Sequence, residues 1–516
     1  MYRLIRAWIY LFALAICTSA ASAADAPALY AQHCASCHGA DRYGNMGPAL
    51  LPESLERLKR PQAVDTIRRG RDATQMPAFA GKLEDADIAA LADWIYTPVS
   101  PPPHWSDADI RASRHEYFAP GSLPNRPVMD ADPLNLFVVV EAGDHHVSIL
   151  DGDKMQRITR FPSRYALHGG PKFTPDGRYV FFASRDGWIS KYDLWNLKLV
   201  AEVRAGINTR NAAVSSDGKL LAVANYLPAT LVLLDADLKL IKRMDVQDLH
   251  GKASRVSAVY DAAPRHSFVA ALKDVPELWE ISYDPSAPEI YDGYVHDYAL
   301  REGIAKPGYL NPRRTPLDDT LDDFFFNQKY NYVLGTSRAG TGQVVNLDVR
   351  RKIATLDLPG MPHLGSGITW DMDGRRVMGS PNLREGVISV IDLQDWHTVG
   401  RIETAGPGFF LRSHENSPYA WADSMMSPGG RDTLQVIDKR SLQVVARLRA
   451  EPGKTLAHVE FDRYGRYAIA SLMEQDGALI FYDAATFKEI KRLPAAKPIG
   501  KYNVYNKTRR SEGTSH

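Results

Sequence analysis

Pro175-Asp-Gly-Arg-Tyr-Val-Phe-Phe182 is a tight turn running straight into an extended apolar strand. Pro-Asp-Gly presets the reversal, and the aromatic and β-branched residues behind it suit a pleated, half-buried surface. Similar turn signals return at Ser216-Asp-Gly218 and Met372-Asp-Gly374. An apolar or aromatic residue followed by Asp closes a strand at Asp151, Asp193, Asp235, Asp284, Asp348, Asp392, Asp438 and Asp483. Successive gaps are 42, 42, 49, 64, 44, 46 and 45 residues. A period in the forties with about four short strands per unit marks a β-propeller. Eight occurrences predict eight blades within 129–506. A pair of β-sandwiches is the competing all-β reading, but it gives no such long-period echo. Propellers bind ligands where the inner strands converge at the channel mouth. The widest gap holds an insertion, Glu289 to Phe326, rich in Tyr, Arg and Asp and expected to rise over one face as a lid.

At 516 residues the chain is long enough for a second unit and for a core that needs no disulfides. Its joint is Thr97-Pro-Val-Ser-Pro-Pro-Pro103, in a stretch, 98–128, expected as a semi-rigid linker. Before it, at 24–97, Cys34-Ala-Ser-Cys-His38 reads as a covalent haem c site. Two thiols at this spacing add across both vinyl groups, and His38 is placed to ligate the iron. A redox CxxC would want a βαβ context, and zinc would want two more ligands. Ile88, Leu91, Ala92 and Ile95 recur at helical spacing behind Asp85 and Asp87. Between these elements lies Gln75-Met-Pro-Ala-Phe79. A lone Met is usually core filler. In so small a unit, before Pro-Ala-Phe, Met76 is expected as the second iron ligand, which would raise the potential.

The first 23 residues read as a secretory signal peptide: Arg3 and Arg6, an apolar stretch from Trp8 to Thr18, then Ala21-Ser-Ala23. That stretch is too short for a good anchor, and no later segment could span a bilayer. Removal takes Cys17 and brings the formal charge from +1 to −1. A nearly neutral chain lacks the concentrated basic face that nucleic acid or an anionic membrane requires. The expected compartment is the periplasm. The end, 507–516, is polar and expected to be disordered.

CASCH and QMPAF together make 24–97 resemble a small all-α class I cytochrome c. The propeller carries Arg164-Tyr-Ala-Leu-His168, Ser184-Arg-Asp-Gly187, Asn225-Tyr-Leu-Pro228, Met361-Pro-His363, Ser413-His-Glu-Asn416 and Lys501-Tyr-Asn-Val-Tyr-Asn506. With these motifs nearly the whole chain resembles the cytochrome cd1 family, which includes nitrite reductases and relatives that make haem d1. The resemblance implies His168 as proximal ligand of a d1-type iron. It implies Arg185 and Arg210 on the ring's carboxylates, where a planar guanidinium binds bidentately. Tyr226 and Phe410 would line the macrocycle, with Arg412 and His414 beside them.

The departures narrow the reading. Nitrite reductases set two histidines over the distal face. His363 matches one, but ten residues before Tyr332, where the other belongs, this chain has Asp322 in Leu321-Asp-Asp-Phe-Phe-Phe326. An aspartate at its ordinary pKa is ionised at neutral pH and donates protons poorly. LDDFFF and Asn311-Pro-Arg-Arg314 resemble instead the biosynthetic branch, in its form fused to haem c. That implies dihydro-haem d1 as exchangeable substrate, its propionate oxidised to the acrylate of haem d1. His363 is expected as base, with Asp322 as a second base or as its orienting partner. Electrons would pass to haem c and on to a soluble acceptor, and product to a nitrite reductase. A nitrite reductase and a non-catalytic haem d1 carrier are the other readings; the carrier leaves haem c unused.

Overall fold

The structure, a computed structural model, describes residues 25–45, 47–55, 58–70, 76–291, 305–337, 339–340 and 342–509. The expected signal peptide lies outside these residues, as do Gln75 and 510–516 of the expected tail.

The N-terminal unit is helical: α1 (Ala26–His33), α2 (Ala35–His38), α3 (Pro52–Leu55), α4 (Arg60–Arg69) and α5 (Asp85–Trp94). Tyr30 of α1, Ile67 of α4 and Ile88 and Leu91 of α5 share one core. The N-cap of α5 is Glu84, whose amide meets the side chain of Asp87; of the acidic pair read from sequence only Asp87 reaches the cap, while Asp85 pairs with Arg68. The stretch expected as a linker is built onto the propeller. Helix α6 (Asp107–Ala112) starts at a Ser106–Asp109 capping box and buries Ile110 completely. His115 and Glu116 then pair with Glu202 and Ala201 as a fifth strand on one sheet.

From Leu136 to Asn503 the described residues form eight antiparallel sheets of four or more strands, with a two-stranded ribbon, Ile290–Tyr291 against Ala305–Lys306, in the insertion. These are the eight blades read from the period. Their innermost strands are Pro498–Asn503 (blade 1), Lys172–Phe173 (2), Asn208–Val214 (3), Val256–Ala262 (4), Asp323–Phe326 (5), Ile368–Met372 (6), Leu411–Arg412 (7) and Leu456–Phe461 (8). Blade 1 borrows its inner strand from the C-terminus, pairing Phe137 with Asn503 and Val140 with Gly500. Main-chain hydrogen bonds thus close the ring, with no open edge between last blade and first. Middle strands such as Leu136–Glu141 are buried on both sides because each blade is sandwiched between two others. Leu221 and Val223 of blade 3 pack towards blade 2, whereas Ala222 and Ala224 pack towards blade 4. Each buried Leu or Val contributes about 1.5–3 kcal/mol.

The recurring Asp is a turn device. Asp151 Oδ1 accepts from the amides of Asp153 and Lys154, and Asp193 Oδ1 from those of Trp195 and Asn196. Just beyond, Met155 and Leu197 take left-handed φ of 52° and 53°, which turns the chain back as the outermost strand. In blade 5 the device is Asn346, whose Oδ1 accepts from Asp348 and Val349. The marker read at Asp348 is therefore two residues late, because an amide oxygen serves as well as a carboxylate.

Successive antiparallel strands put alternate loops on opposite faces. Loops entering the innermost strands share a face, here the upper one, with turns between second and third strands. The insertion joins the third strand of blade 4, Glu277–Ser282, to its outermost, Pro312–Pro316, so its described part belongs to the lower face. The expectation of a lid over the mouth is corrected: which connection is lengthened decides the face. Its return is pinned low on blade 3, where Lys242 Nζ donates to Leu310 O at 2.8 Å and Asn311 Oδ1 at 2.7 Å.

Helix α7 (Val504–Arg509) follows the inner strand of blade 1 and lies across the lower end of the channel. Asn506 Nδ2 donates to Glu460 Oε1 and Phe461 O of blade 8. Lys507 and Thr508, expected in a disordered tail, belong to this helix. The N-terminal unit docks on the upper face of blades 2 and 3. Ala49 and Leu51 pack on Ile207 and Leu227, and Arg204 Nη2 donates to Tyr43 O at 2.9 Å.

Candidate functional site

Two sites share the upper face. At the first, Cys34 ends α1 and opens α2, so one helical turn carries Cys34, Cys37 and His38. Both thiols are free and half-buried. His38 is 8% exposed, and its Nδ1 donates to Pro48 O at 2.8 Å, leaving Nε2 with its lone pair. Burial lowers its pKa from the ordinary value, so the ring stays neutral. Gly47 lies against the imidazole: a Cβ there would come within 2.6 Å of Cε1. Met76 packs on the same core as Cys34 and Ala35. Paired thiols, a neutral imidazole of fixed tautomer and a thioether on the same core are a donor set that fits a covalently held haem.

At the second site, His168 lies in the loop entering blade 2. Its Nδ1 donates to Arg210 O at 2.7 Å, which leaves Nε2 to accept. Arg185 Nη2 lies 2.9 Å and Arg210 Nη1 3.2 Å from that Nε2. A ligating nitrogen flanked by two guanidiniums suits a metal ring that carries carboxylates. Tyr226, on the upper end of blade 3, faces Arg255 and Lys273, 5.6 and 5.5 Å from its ring centre. Opposite, Phe410 packs at a tilt against Phe409 and edge-on against His458, with centroids 4.6 and 4.4 Å apart. Arg412 is buried beneath, its guanidinium 5.3 Å from the Phe410 ring.

His363 lies 4.1 Å from Phe409, ring centre to ring centre, with Nδ1 3.2 Å from Phe409 O. Its Nε2 is 3.8 Å from Asp323 Oδ2. Burial lowers its pKa, opposed by Asp323. Asp322, the carboxylate singled out from sequence, is bound 2.6 Å from Lys273 Nζ instead. Asp322 lies in the bend just before the strand that begins at Asp323, and its side chain goes to Lys273 while Asp323 lies near His363. Asp323 also accepts from Tyr260 Oη at 2.8 Å. His414 departs from its expected place. It lies below Arg412 in the loop leaving blade 7's inner strand, is fully buried, and accepts the Asn416 amide at Nδ1.

His458 was missed. It is 1% exposed, holds a left-handed φ of 48°, and stands 5.3 Å from the Tyr502 ring. Its Nε2 has no hydrogen-bond partner. Burial first, then Lys501, Arg412 and Lys507, hold its pKa well below the ordinary value. Nothing around Ala457-His-Val459 announces this in sequence; only the strand's bulge between Ala457 and Glu460 exposes the ring to the channel. Tyr502 is cradled by Gly170 and Gly500, where added Cβ atoms would sit 3.0 and 2.8 Å from its ring or hydroxyl.

Fold and sites together define a two-part haem protein: a cytochrome unit docked beside a propeller mouth built for an anionic ring. Residues 131–296 and 305–507 match the family described as Cytochrome D1 heme domain, and 21–95 match Cytochrome C oxidase, cbb3-type, subunit III. The chain belongs to the cytochrome D1 heme domain family. It is 56% identical over 500 residues, 96% of this chain and 97% of the relative, to Dihydro-heme d1 dehydrogenase of Pseudomonas aeruginosa. A solved structure titled Dihydro-heme d1 dehydrogenase NirN in complex with DHE, also 56% identical, superposes with a TM-score of 0.83, covering 93% of this chain and 99% of that one. Protein NirF of Stutzerimonas stutzeri is 27% identical over 389 residues, 71% of this chain and 90% of its own.

Proposed function

We propose that the protein is a periplasmic enzyme of haem d1 biosynthesis that dehydrogenates dihydro-haem d1. One propionate, –CH2–CH2–COO⁻, becomes –CH=CH–COO⁻, losing two protons and two electrons. The observation carrying this reading is the pair of buried, neutral imidazoles, His363 and His458, walling a mouth beside a docked cytochrome unit. His168 holds the ring iron, while Arg185 and Arg210 turn from the imidazole to the ring's carboxylates. Tyr226 and Phe410 cover its faces. His363, backed by Asp323, takes one proton and His458 the other. Haem c, bound through Cys34 and Cys37 with His38 and Met76 on its iron, supplies a one-electron acceptor. A soluble carrier then takes each electron, and product passes to a nitrite reductase. A carrier role without catalysis would give the cytochrome unit no task.

The test is anaerobic addition of dihydro-haem d1 to the oxidised protein. Haem c should become reduced while the ring band shifts to the red; unchanged spectra would leave only a carrier. His363→Ala should lower turnover by about 10²–10⁴-fold with ring uptake retained, and a normal rate would relieve it of the role. The two aspartates should separate. Asp323→Asn should cost about 10- to 100-fold in rate, the worth of one charge-assisted contact. Asp322→Asn should loosen Lys273 and affect chiefly ring affinity. Single-turnover rates and binding titrations on both variants check this, and equal losses would contradict the assignment.

A further inference from the structure

We propose that the lower half of the central channel is the exit for protons released by dehydrogenation, with Lys507 as its outlet. This rests on the dehydrogenase reading. Each turnover leaves two protons in a pocket that the ring itself closes from above. A protonated His458 would stand among Lys501, Arg412 and Lys507, so it must pass its proton on. Below it the inner strands of blades 8, 1 and 7 set Glu460, Tyr502 and Arg412, and α7 adds Asn506 and Lys507.

Several of their atoms have no hydrogen-bond partner among the described residues: His458 Nε2, Arg412 Nε, Glu460 Oε2 and Asn506 Oδ1. Buried polar atoms gathered in this way are satisfied by ordered water, and linked waters carry protons. Glu460 Oε2 lies 3.9 Å from Lys507 Nζ, and the two side chains are 1% and 9% exposed. Lys507 therefore joins the buried carboxylate to the lower surface. Groups facing it are Glu460 from blade 8, Tyr502 from blade 1, Arg412 from blade 7, Lys172 from blade 2, and His458 above. Burial, with Arg412 and Lys172 and against Glu460, brings the ammonium down to about 7. Such an amine both accepts and releases a proton at neutral pH. The electrons leave separately, through haem c.

A purely structural role, pinning α7 to Glu460, would survive Lys507→Arg, which keeps the charge but does not deprotonate. In stopped-flow with an indicator dye and a soluble one-electron oxidant to take each electron from haem c, the wild type should release two protons per ring oxidised. Its rate should fall below pH 7, where Lys507 is already charged. Lys507→Arg should slow proton release about 10-fold or more above pH 7, converge on the wild type well below it, and so lose that limb; a wild-type profile would overturn the proposal. Failure of the wild type to reduce haem c would instead defeat the dehydrogenase reading. A second arm needs no substrate. The folded pKa is depressed, so the cost of burying the charge is full below pH 7 and disappears as pH rises towards 10.5. Lys507→Met should raise the melting temperature more at pH 6 than at pH 9; an equal rise at both would overturn the titration.

Discussion

His458→Ala should lower the rate of dehydrogenation by about 10²–10⁴-fold while ring uptake stays within a few-fold of wild type. Holding a non-glycine residue at φ 48° costs of order 1–3 kcal/mol, and such strain persists only where the surroundings enforce it. Here they do: the ring is fixed between Phe410 and Tyr502, and Lys501 Nζ donates to the His458 carbonyl. What is enforced is an imidazole whose Nε2 has no hydrogen-bond partner among the described residues and whose pKa burial, and after it the neighbouring cations, hold low. A carboxylate of the bound ring near the imidazole would raise its basicity when, and only when, substrate is present. His458→Asn is the control, because Asn accepts a left-handed backbone yet offers no comparable base. Both variants should melt like the wild type, bind the ring in an absorbance titration, and fail in single turnover. A normal rate in either would remove His458 from the reaction.

The sequence carried the architecture because the architecture repeats. An Asp that closes the same turn in blade after blade is visible as a period even where one blade, at Asn346, substitutes another acceptor. The sites were legible in proportion to how local they are. CASCH puts two thiols and an imidazole on one helical turn, and Arg185 shares its turn with the motif that singles it out. Asp322 and Asp323 could not be told apart, since what separates them is a bend that ends where the strand begins at Asp323. His458 lies between blades that meet only when the ring closes, and no neighbour in sequence marks it. Lys507 looked like tail because its partners are Glu460, 47 positions earlier, and an inner strand borrowed across the closure. The lid failed for a related reason: length was visible, but the face depended on counting strands.

Replacing Cys34 and Cys37 by Ala should abolish turnover while leaving a propeller that still takes up the ring. Among the described residues these are the only cysteines, and they sit on the unit that docks at the mouth. Without thioethers His38 cannot retain a haem, so two electrons have no acceptor and the side chain stays saturated. The propeller should survive, because its closure by Pro498–Asn503 and its blade-to-blade cores are independent of the helical unit. That unit is the weaker partner: its core is small, and the contact at Ala49, Leu51, Ile207 and Leu227 is short. Met76→Ala separates loss of the acceptor from loss of the fold. It should keep the covalent haem but lower its potential, since a thioether ligand raises it, and so slow haem reduction without stopping it. Potentiometry, binding titration and product analysis on the three proteins give the expected order. Full turnover by the double-alanine variant would mean that electrons leave by some other route, and the cytochrome unit would need a different purpose.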